Sequence, residues 1–389
     1  MKILRVIASM EPRQGGPCQG IRNSIPELLK LGIHNDVVCL DNPSADYLGQ
    51  DSFTINAIGD GKTPWGYNKM LIPWLLSHFN NYDVVIVHGL WLYHSHAAVR
   101  AMLTYRKAST TSPRIYVMPH GMLDPYFQKA GERKLKALRN EIYWKMLENK
   151  VVNRADGILY TCEEELLLAR TAFSNYKPRR EINVGYGIQS PPAYHSAMRQ
   201  AFAAKVPQWN GNPYFLFLSR IHQKKGVDLL VKAYLELEQK LENIPQLIIA
   251  GPGLDEVYGK EMQALASASS NILFPGMLNG DAKWGAFYES EAFILPSHQE
   301  NFGIAVVEAL ACNKPVLISD KVNIWREIVK EGGGIVKNDT EEETYELLKQ
   351  WAILKKDEKS EMAKSALNVY KKCFTITQAA QQFIKGINS

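Results

Sequence analysis

Short apolar runs occur in two series along the chain, and each run is followed by a turn and then by a helical pattern. Most of these runs are apolar throughout, which is typical of parallel strands buried on both faces of a sheet. Strands that alternate with helices in two series predict two doubly wound α/β domains. The predicted strands are 3–8, 37–40, 84–87, 115–118, 158–161, 182–184, 214–218, 247–250, 272–274, 293–295, 316–318 and 334–336.

The 389 residues suffice for two domains with full hydrophobic cores. We predict an N-terminal domain over 1–190 and a C-terminal domain over 213–365. A proline-rich linker over 191–212 is predicted between them. The last segment, 366–389, is predicted to be helical, and it could pack back on the N-terminal domain or lie on the C-terminal one.

Composition narrows the class of protein. Five scattered cysteines without metal-ligand spacing favour a reducing compartment, so we predict a cytoplasmic protein. The N-terminal run is short and is interrupted by Arg5, so it is interpreted as a first strand and not as a signal peptide. No apolar stretch reaches the ~18 residues that a membrane span needs.

The net charge of +5 is concentrated in one segment, 129–154, where eight Lys and Arg face three Glu. The remainder is close to neutral, which argues against nucleic acid as a partner. Apolar residues also recur there at helical spacing. We favour a core-facing helix with a solvated basic face, and the alternative is a peripheral membrane dock for a lipid-linked acceptor. The apolar residues are Leu135, Leu138, Ile142 and Met146, and Tyr143, Trp144 and Leu147 widen that side.

Two cations follow the first strand of the second series. Arg220 follows 214–218 after one intervening residue, and Lys225 follows on the same loop. Parallel sheets place ligands at the carboxyl ends of their strands. Arginine can bind a diphosphate with two hydrogen bonds, and lysine adds a compact charge. The loop therefore suits a pyrophosphate, and a solvated basic loop remains the alternative.

A more specific pattern follows strand 293–295. Glu300 lies in a polar loop, and Gly303 opens a helix that contains Glu308. Backbone N–H groups at a helix start form a ready anion site, here near 301–303. Glu308 is surrounded by apolar neighbours, so its carboxylate needs a partner.

Together these residues resemble the retaining glycosyltransferases with the GT-B architecture, in the large family with two glutamates that have seven residues between them (glycosyltransferase family 4). The resemblance implies two Rossmann-like domains that face each other across a cleft. It implies that Glu308 holds the donor ribose, that Glu300 contacts the transferred sugar, and that Arg220 and Lys225 neutralise the diphosphate. Further implied donor contacts are Met277 for the base, and Asn301, Phe302 and Gly303 for the sugar.

The first series supplies weaker candidates. Gly15 and Gly16 follow the first strand, where adjacent glycines allow a phosphate to approach the backbone, and Gly16 matches the family. His120 follows strand 115–118, and the resemblance implies that it bonds the transferred sugar. Acceptor contacts are predicted for Trp91, Tyr93, Asp124 and Tyr126, which follow strands 84–87 and 115–118.

A metal pair is conceivable for His94 and His96 if their segment is extended, but no third ligand has a suitable spacing. The chain also contains no Asp-x-Asp motif. Fixed cations would stabilise the leaving diphosphate instead of a metal. We therefore expect no metal and no cofactor.

The expected activity is transfer of a hexose from a nucleoside diphosphate sugar, with retention at the anomeric carbon. UDP-glucose is favoured over GDP-sugars on family frequency alone. The expected acceptor is a saccharide or a lipid-linked oligosaccharide in cell-envelope polysaccharide synthesis. The alternatives are a nucleotide-sugar epimerase of the same architecture and a non-catalytic nucleotide-sugar binding module.

Overall fold

The chain divides into two compact units in a computed structural model, which describes residues 1–129 and 134–389. Unit 1 comprises Met1–Gly187 and Ile376–Ser389, and unit 2 comprises Ile188–Thr375. The segment 191–212 lies within unit 2, where it contains a helix. The segment 366–389 is divided between the two units, because the chain returns to unit 1 at Ile376.

Each unit is built on a parallel sheet. The sheet of unit 1 has the order β3-β2-β1-β4-β5-β6-β7, and that of unit 2 has the order β10-β9-β8-β11-β12-β13. Unit 1 contains β1 (Lys2–Ile7), β2 (His34–Cys39), β3 (Ile55–Ala57), β4 (Val84–His88), β5 (Arg114–Met118), β6 (Gly157–Tyr160) and β7 (Glu181–Asn183). Unit 2 contains β8 (Tyr214–Leu218), β9 (Gln246–Ala250), β10 (Ile272–Gly276), β11 (Ala292–Leu295), β12 (Val316–Ser319) and β13 (Gly334–Lys337).

Helices alternate with these strands and cover the sheets. They are α1 (Gly16–Lys30), α2 (Leu71–His78), α3 (Tyr93–Ala108), α4 (Tyr126–Lys129), α5 (Lys134–Tyr143), α6 (Asn149–Arg154), α7 (Glu163–Ala172), α8 (Ser196–Lys205), α9 (Val227–Lys240), α10 (Val257–Ala266), α11 (Gly280–Glu289), α12 (Ile304–Ala311), α13 (Trp325–Lys330), α14 (Glu341–Ile353), α15 (Lys356–Val369) and α16 (Ile376–Asn388). A π-helical turn, Trp144–Glu148, joins α5 to α6, and another, Tyr370–Phe374, follows α15.

The predicted fold class of two Rossmann-like domains is confirmed. All twelve predicted strands are present, eleven of them within two residues of their expected bounds, and β2 begins three residues earlier than predicted. The edge strand β3 escaped prediction, because its three residues are half-buried and include a polar asparagine. In both sheets the strand order reverses beside the first strand, between β1 and β4 and between β8 and β11.

The C-terminal helix α16 belongs to the core of unit 1. Ala380, Phe383 and Ile387 pack with Ile3 and Ile86 on one face of the sheet. Successive residues of a strand point to opposite faces, and Leu4 and Val6 accordingly belong to the cluster on the other face. Helix α16 thus completes the layer on one face of the sheet of unit 1.

The favoured interpretation of segment 129–154 is wrong. Leu135, Leu138, Ile142 and Met146 are exposed, and the helix is anchored instead through the fully buried Trp144. Glu132 and Arg133, which entered the charge count, lie outside the described residues. Within the part of the chain that is described, no helix is long and apolar enough to cross a bilayer.

Candidate functional site

Apart from Met277, which follows β10, the candidate residues of unit 2 follow the carboxyl ends of β8 and β11, the two strands that flank the reversal of strand order. Such a reversal opens a crevice where α/β sheets bind ligands. Arg220 is exposed on the loop after β8, whereas Lys225 is buried at the end of a single 3₁₀ turn, Gln223–Lys225. The same loop therefore presents one cation to solvent and encloses the other.

A glycine holds the β8 loop against the end of β11. Gly226 has φ +66°, and a Cβ at this position would lie 2.0 Å from the carbonyl oxygen of Pro296. Only glycine allows both the left-handed backbone and this close approach. Nearby, the amide of His298 donates to the carbonyl of Lys224 over 2.9 Å. The loop carrying Lys225 is thereby fixed to the loop carrying Glu300.

Lys225 and Glu300 form an ion pair between Nζ and Oε2. Glu300 is placed by its own backbone, whose amide donates to Lys321 O and whose carbonyl accepts from Asn323 N, both over 2.9 Å. Its other carboxylate oxygen, Oε1, accepts from the amide of Asn301 over 3.1 Å. These contacts bring two predicted site residues together and set the direction of the Glu300 side chain.

Helix α12 begins directly after Gly303, which has φ +73° and forms the N-terminal cap. Phe302 is buried, and its ring meets Phe374 edge-on with centroids 5.7 Å apart. The Asn301 side chain accepts from Asn323 Nδ2 over 3.3 Å. Asn301, Phe302 and Gly303, the three predicted sugar contacts, thus form a turn that is held by the contacts with Phe374 and Asn323.

Glu308 lies on α12 with its carboxylate nearly enclosed, and its partner is a lysine that we did not predict. Lys283 Nζ on α11 lies 2.6 Å from Glu308 Oε1. Burial raises the pKa of Glu308, and the charge and hydrogen bond of Lys283 oppose that rise. The predicted need for a partner is therefore met by a residue that precedes Glu308 by 25 positions. Met277, exposed after β10, lies on the segment that leads into α11.

In unit 1, the loop after β1 leads through Gly15 into α1. Gly15 has φ +86°, and a Cβ added at Gly15 or at Gly16 would meet nothing within 4 Å. The carbonyl of Gly16 accepts from the Tyr186 hydroxyl over 3.3 Å. Both glycines are exposed at a helix start, which is the geometry that the predicted phosphate contact requires.

His120 lies on a turn with positive φ and is linked to two buried residues. Its Nε2 lies 2.9 Å from His88 Nδ1, and His88 Nε2 lies 3.3 Å from Arg5 Nη1. Arg5 in turn donates from Nε to Asn35 Oδ1 over 2.9 Å. Gly121, the next residue, donates its amide to the buried carboxylate of Glu165 and so helps to hold the turn.

The arginine determines which nitrogens of the two histidines carry protons. Burial lowers the pKa of His120 to about 4, with a smaller effect of Arg5, and burial lowers the pKa of His88 well below its usual range. Both rings are therefore neutral. A guanidinium only donates, so His88 Nε2 accepts from Arg5 and the His88 proton is on Nδ1. That N–H donates to His120 Nε2, which puts the His120 proton on Nδ1.

The same three side chains line a cavity of about 50 Å³ between α1 and α16. Its remaining lining is mainly apolar, including Ile21 and Phe383. Arg5 lies with its guanidinium carbon 5.5 Å from the centroid of the Phe383 ring. The Arg5 guanidinium is thus enclosed by the Phe383 ring, the Asn35 side-chain amide and the His88 imidazole.

The predicted acceptor residues differ in accessibility. Tyr93 is buried, and its ring already packs edge-on with two aromatic neighbours, 5.2 Å from Trp65 and 4.9 Å from Tyr67 between centroids. Asp124 is also buried, and it accepts from the amide of Tyr126 over 2.8 Å. Trp91 is half-buried with φ +72°, and its ring packs on Phe173.

His94 and His96 lie on helix α3, so the extended segment that a metal pair would need is absent. His94 is buried, with Nε2 2.8 Å from the carbonyl oxygen of His88. His96 packs near Trp65, with centroids 5.9 Å apart. Among residues 1–129 and 134–389, no group of three or more His, Cys, Asp and Glu side chains is placed to hold a metal ion.

Sequence reasoning missed Lys283 and the role of Arg5. The signal for Arg5 was present, because a charged residue inside an otherwise apolar strand requires partners. Its partners, Asn35 and His88, lie 30 and 83 positions away. No spacing rule connects them.

Parts of the chain are similar in sequence to known glycosyltransferases. Residues 199–368 match the family described as "Glycosyl transferases group 1". O-antigen chain mannosyltransferase C of Escherichia coli is 26% identical over 143 residues, covering 36% of this chain and 35% of that protein. A GDP-mannose-dependent monoacylated alpha-(1-6)-phosphatidylinositol monomannoside mannosyltransferase of Corynebacterium glutamicum is 24% identical over 239 residues, covering 57% of this chain and 61% of that protein. The matched stretches span less than two thirds of the length of these relatives.

Similar solved structures cover the whole chain. Sucrose-phosphate synthase from Thermosynechococcus elongatus has a TM-score of 0.71 at 17% identity, covering 100% of this chain and 98% of that one. Anabaena HepE in complex with UDP-glucose has a TM-score of 0.71 at 17% identity, covering 100% of this chain and 99% of that one. At these identities the likeness establishes the fold, which is GT-B.

Proposed function

We propose that this chain, whose residues 199–368 match the family of glycosyl transferases group 1, transfers a hexose from a nucleoside diphosphate sugar to an acceptor. The observation that carries the proposal is the charge arrangement after β8 and β11. Lys225 pairs with Glu300, and Glu308 pairs with Lys283. With Arg220 on the same loop as Lys225, unit 2 offers cations for a diphosphate and carboxylates for sugar hydroxyls.

In the proposed mechanism, Arg220 and Lys225 stabilise the negative charge that develops on the leaving diphosphate. This role needs no metal. Glu308 accepts hydrogen bonds from the ribose, and Glu300 accepts from hydroxyls of the transferred sugar. The start of α12 at Gly303 adds backbone donors.

The proposed reaction retains the configuration at the anomeric carbon. A double-displacement mechanism needs a carboxylate nucleophile beside the anomeric carbon. Glu300 is already engaged by Lys225 and the Asn301 amide, which suits a hydroxyl acceptor. We therefore propose front-face transfer, in which the departing diphosphate helps to deprotonate the acceptor. His120, in unit 1, is proposed as a hydrogen-bond partner of the sugar.

UDP-glucose is the proposed donor, and GDP-mannose is the main competitor. HepE was solved with UDP-glucose, whereas the Corynebacterium relative is named as GDP-mannose-dependent. The proposed acceptor is a saccharide or a lipid-linked oligosaccharide in cell-envelope polysaccharide synthesis. It is supported by the names of relatives, among them the O-antigen chain mannosyltransferase and WaaG, a glycosyltransferase of lipopolysaccharide biosynthesis.

Calorimetric titration tests the donor site. The purified chain, in EDTA, is titrated with UDP, GDP, UDP-glucose and GDP-mannose. One nucleotide is expected to bind, and Arg220→Ala is expected to weaken it. Glu308→Gln should weaken it by roughly 10- to 100-fold, because a hydrogen bond to a charged group contributes about 1.5–3 kcal/mol. Lys364→Ala, at an exposed position on α15, is the matched control and should bind like the original chain.

Turnover separates the remaining possibilities. A transferase releases nucleoside diphosphate only when an acceptor is present, and EDTA leaves the rate unchanged. An epimerase would change the sugar without an acceptor, and a binding module would do neither. Loss of activity in EDTA would refute the metal-free mechanism. An inverted anomeric centre in the product, read by NMR, would refute the proposed retention.

A further inference from the structure

An exposed apolar stripe runs along α5 and the π-helical turn that follows it. The exposed fractions are 85% for Leu135, 60% for Leu138, 49% for Ile142 and 62% for Met146. Spacings of three and four residues put all four on one side of a helix. A contiguous apolar surface of this kind marks an interaction site more often than chance exposure.

The stripe lies roughly opposite the face by which this segment is attached to unit 1. That attached face contains Asn140, Trp144, Glu148 and Val151, which are all buried. At 3.6 residues per turn these four also share a side, about half a turn away from the stripe. The helix is therefore anchored on one side, and its second apolar side has no core left to cover.

Cations flank the stripe on both sides. Lys145 lies beside one edge, and Arg139 and Lys150 lie beside the other, all of them exposed. Lys136 is exposed as well. Among the described residues of this segment, the acidic side chains are the half-buried Glu141, which pairs with Lys145 over 3.2 Å, and Glu148, which is buried on the attached face. An apolar centre between long basic side chains has the chemistry of the boundary between acyl chains and anionic headgroups.

We propose that this α5 surface, made of the four stripe residues with Lys136, Arg139, Lys145 and Lys150, docks the protein on an anionic lipid bilayer. The apolar side chains enter the headgroup boundary, and the lysines and arginine reach the lipid phosphates around them. Charge complementarity favours this occupant, because anionic headgroups would attract Lys136, Arg139 and Lys150 around the apolar centre, whereas an apolar protein groove would offer them no opposite charge. The surface lies in unit 1 and does not depend on the proposed chemistry of unit 2.

Vesicle co-sedimentation of the full chain tests the proposal. We expect binding to vesicles of phosphatidylcholine mixed with phosphatidylserine, and little binding to phosphatidylcholine alone. Added salt should weaken the binding, because exposed charges are screened. Replacing Arg139 and Lys150 together by Gln should lower the partition coefficient about 25-fold, at roughly fivefold per cation.

The stripe itself is tested with Leu138→Gln combined with Ile142→Gln, which is expected to abolish sedimentation with anionic vesicles. The matched control is Val257→Gln combined with Ile353→Gln, two exposed apolar residues of unit 2. Circular dichroism and nucleotide titration verify that each variant is folded. The proposal is overturned if the original chain ignores anionic vesicles, or if the control loses binding equally. A dimer in sedimentation velocity that the stripe variant dissociates, without vesicle binding, would assign the surface to a second copy of the chain instead.

Discussion

Glu148 allows a quantitative test of the packing beneath the β4 loop. Its side chain is fully buried on the π-helical turn. Oε1 accepts from the Trp91 amide over 3.2 Å and from the Ser95 hydroxyl over 3.4 Å. Within the described part of the chain, Oε2 has no hydrogen-bond partner. Burial is the largest influence, and it raises the pKa of Glu148 from 4.5 to about 7.

The pKa rise converts to a free energy of unfolding. A rise from 4.5 to about 7 corresponds to about 3 kcal/mol, at 1.36 kcal/mol per pKa unit. Because the folded pKa is the higher one, the folded chain holds the proton more tightly. The stabilising contribution is complete below pH 4.5 and is lost as the pH rises through 7. Above that pH, the folded protein carries a buried carboxylate with only part of its hydrogen bonding satisfied.

Glu148→Gln removes the titration and keeps an oxygen that can accept from Trp91. Urea unfolding of both proteins at about pH 5 and about pH 8.5 gives two differences in the free energy of unfolding. The difference is expected to change by about 3 kcal/mol in favour of the glutamine variant at the higher pH. Other titrating groups cancel, because they are common to both proteins. Parallel stability profiles for Glu148→Gln and the original chain would refute the reasoning.

Two further results are expected. Gly226→Ala should destabilise unit 2 in thermal unfolding more than Gly280→Ala does. Both positions have positive φ, which costs about 1–2 kcal/mol for alanine. Only at Gly226 would the added Cβ also meet a carbonyl oxygen, at 2.0 Å. Equal losses of thermal stability would contradict the close approach. The ring nitrogens of His120 should give the ¹⁵N shifts of the Nδ1–H tautomer. In Arg5→Met, the His120 ring should become a mixture of the two tautomers. An Nε2–H signal from His120 in the original chain would exclude the derived proton arrangement.

Local patterns predicted the strands well because their cause is local. A parallel strand buried on both faces is apolar at most positions, and such runs stand out in the sequence. Helical periodicity was less informative for α5. The spacing of Leu135, Leu138, Ile142 and Met146 identifies one side of a helix but cannot say whether that side faces the core or the solvent. The attached face depends on Trp144 together with the polar Asn140, which no hydrophobic pattern would select.

In the candidate site, too, local patterns indicated some features and missed others. Arg220, Lys225, Glu300 and Glu308 could be selected as candidates because each follows a strand end or lies in the first turns of a helix. Their partners could not be predicted. Lys283 lies on a different helix from Glu308, and its contact exists only because α11 and α12 bring the two side chains within hydrogen-bonding distance. A sequence can therefore show that a buried charge needs a counter-charge without showing which residue supplies it.

The Lys283–Glu308 pair is better explained by binding than by stability. A buried ion pair contributes little net stability, because desolvating two charges offsets their attraction. An apolar pair at these positions would stabilise the packing of α11 against α12 equally well. A ribose, however, is recognised by an ionised carboxylate, which accepts hydrogen bonds at both oxygens, whereas a protonated one loses part of that capacity. Burial alone would push Glu308 toward the protonated form, and the Lys283 charge opposes it. On the proposed function, Lys283 is thus the residue that lets Glu308 be enclosed enough to exclude water and still remain an acceptor.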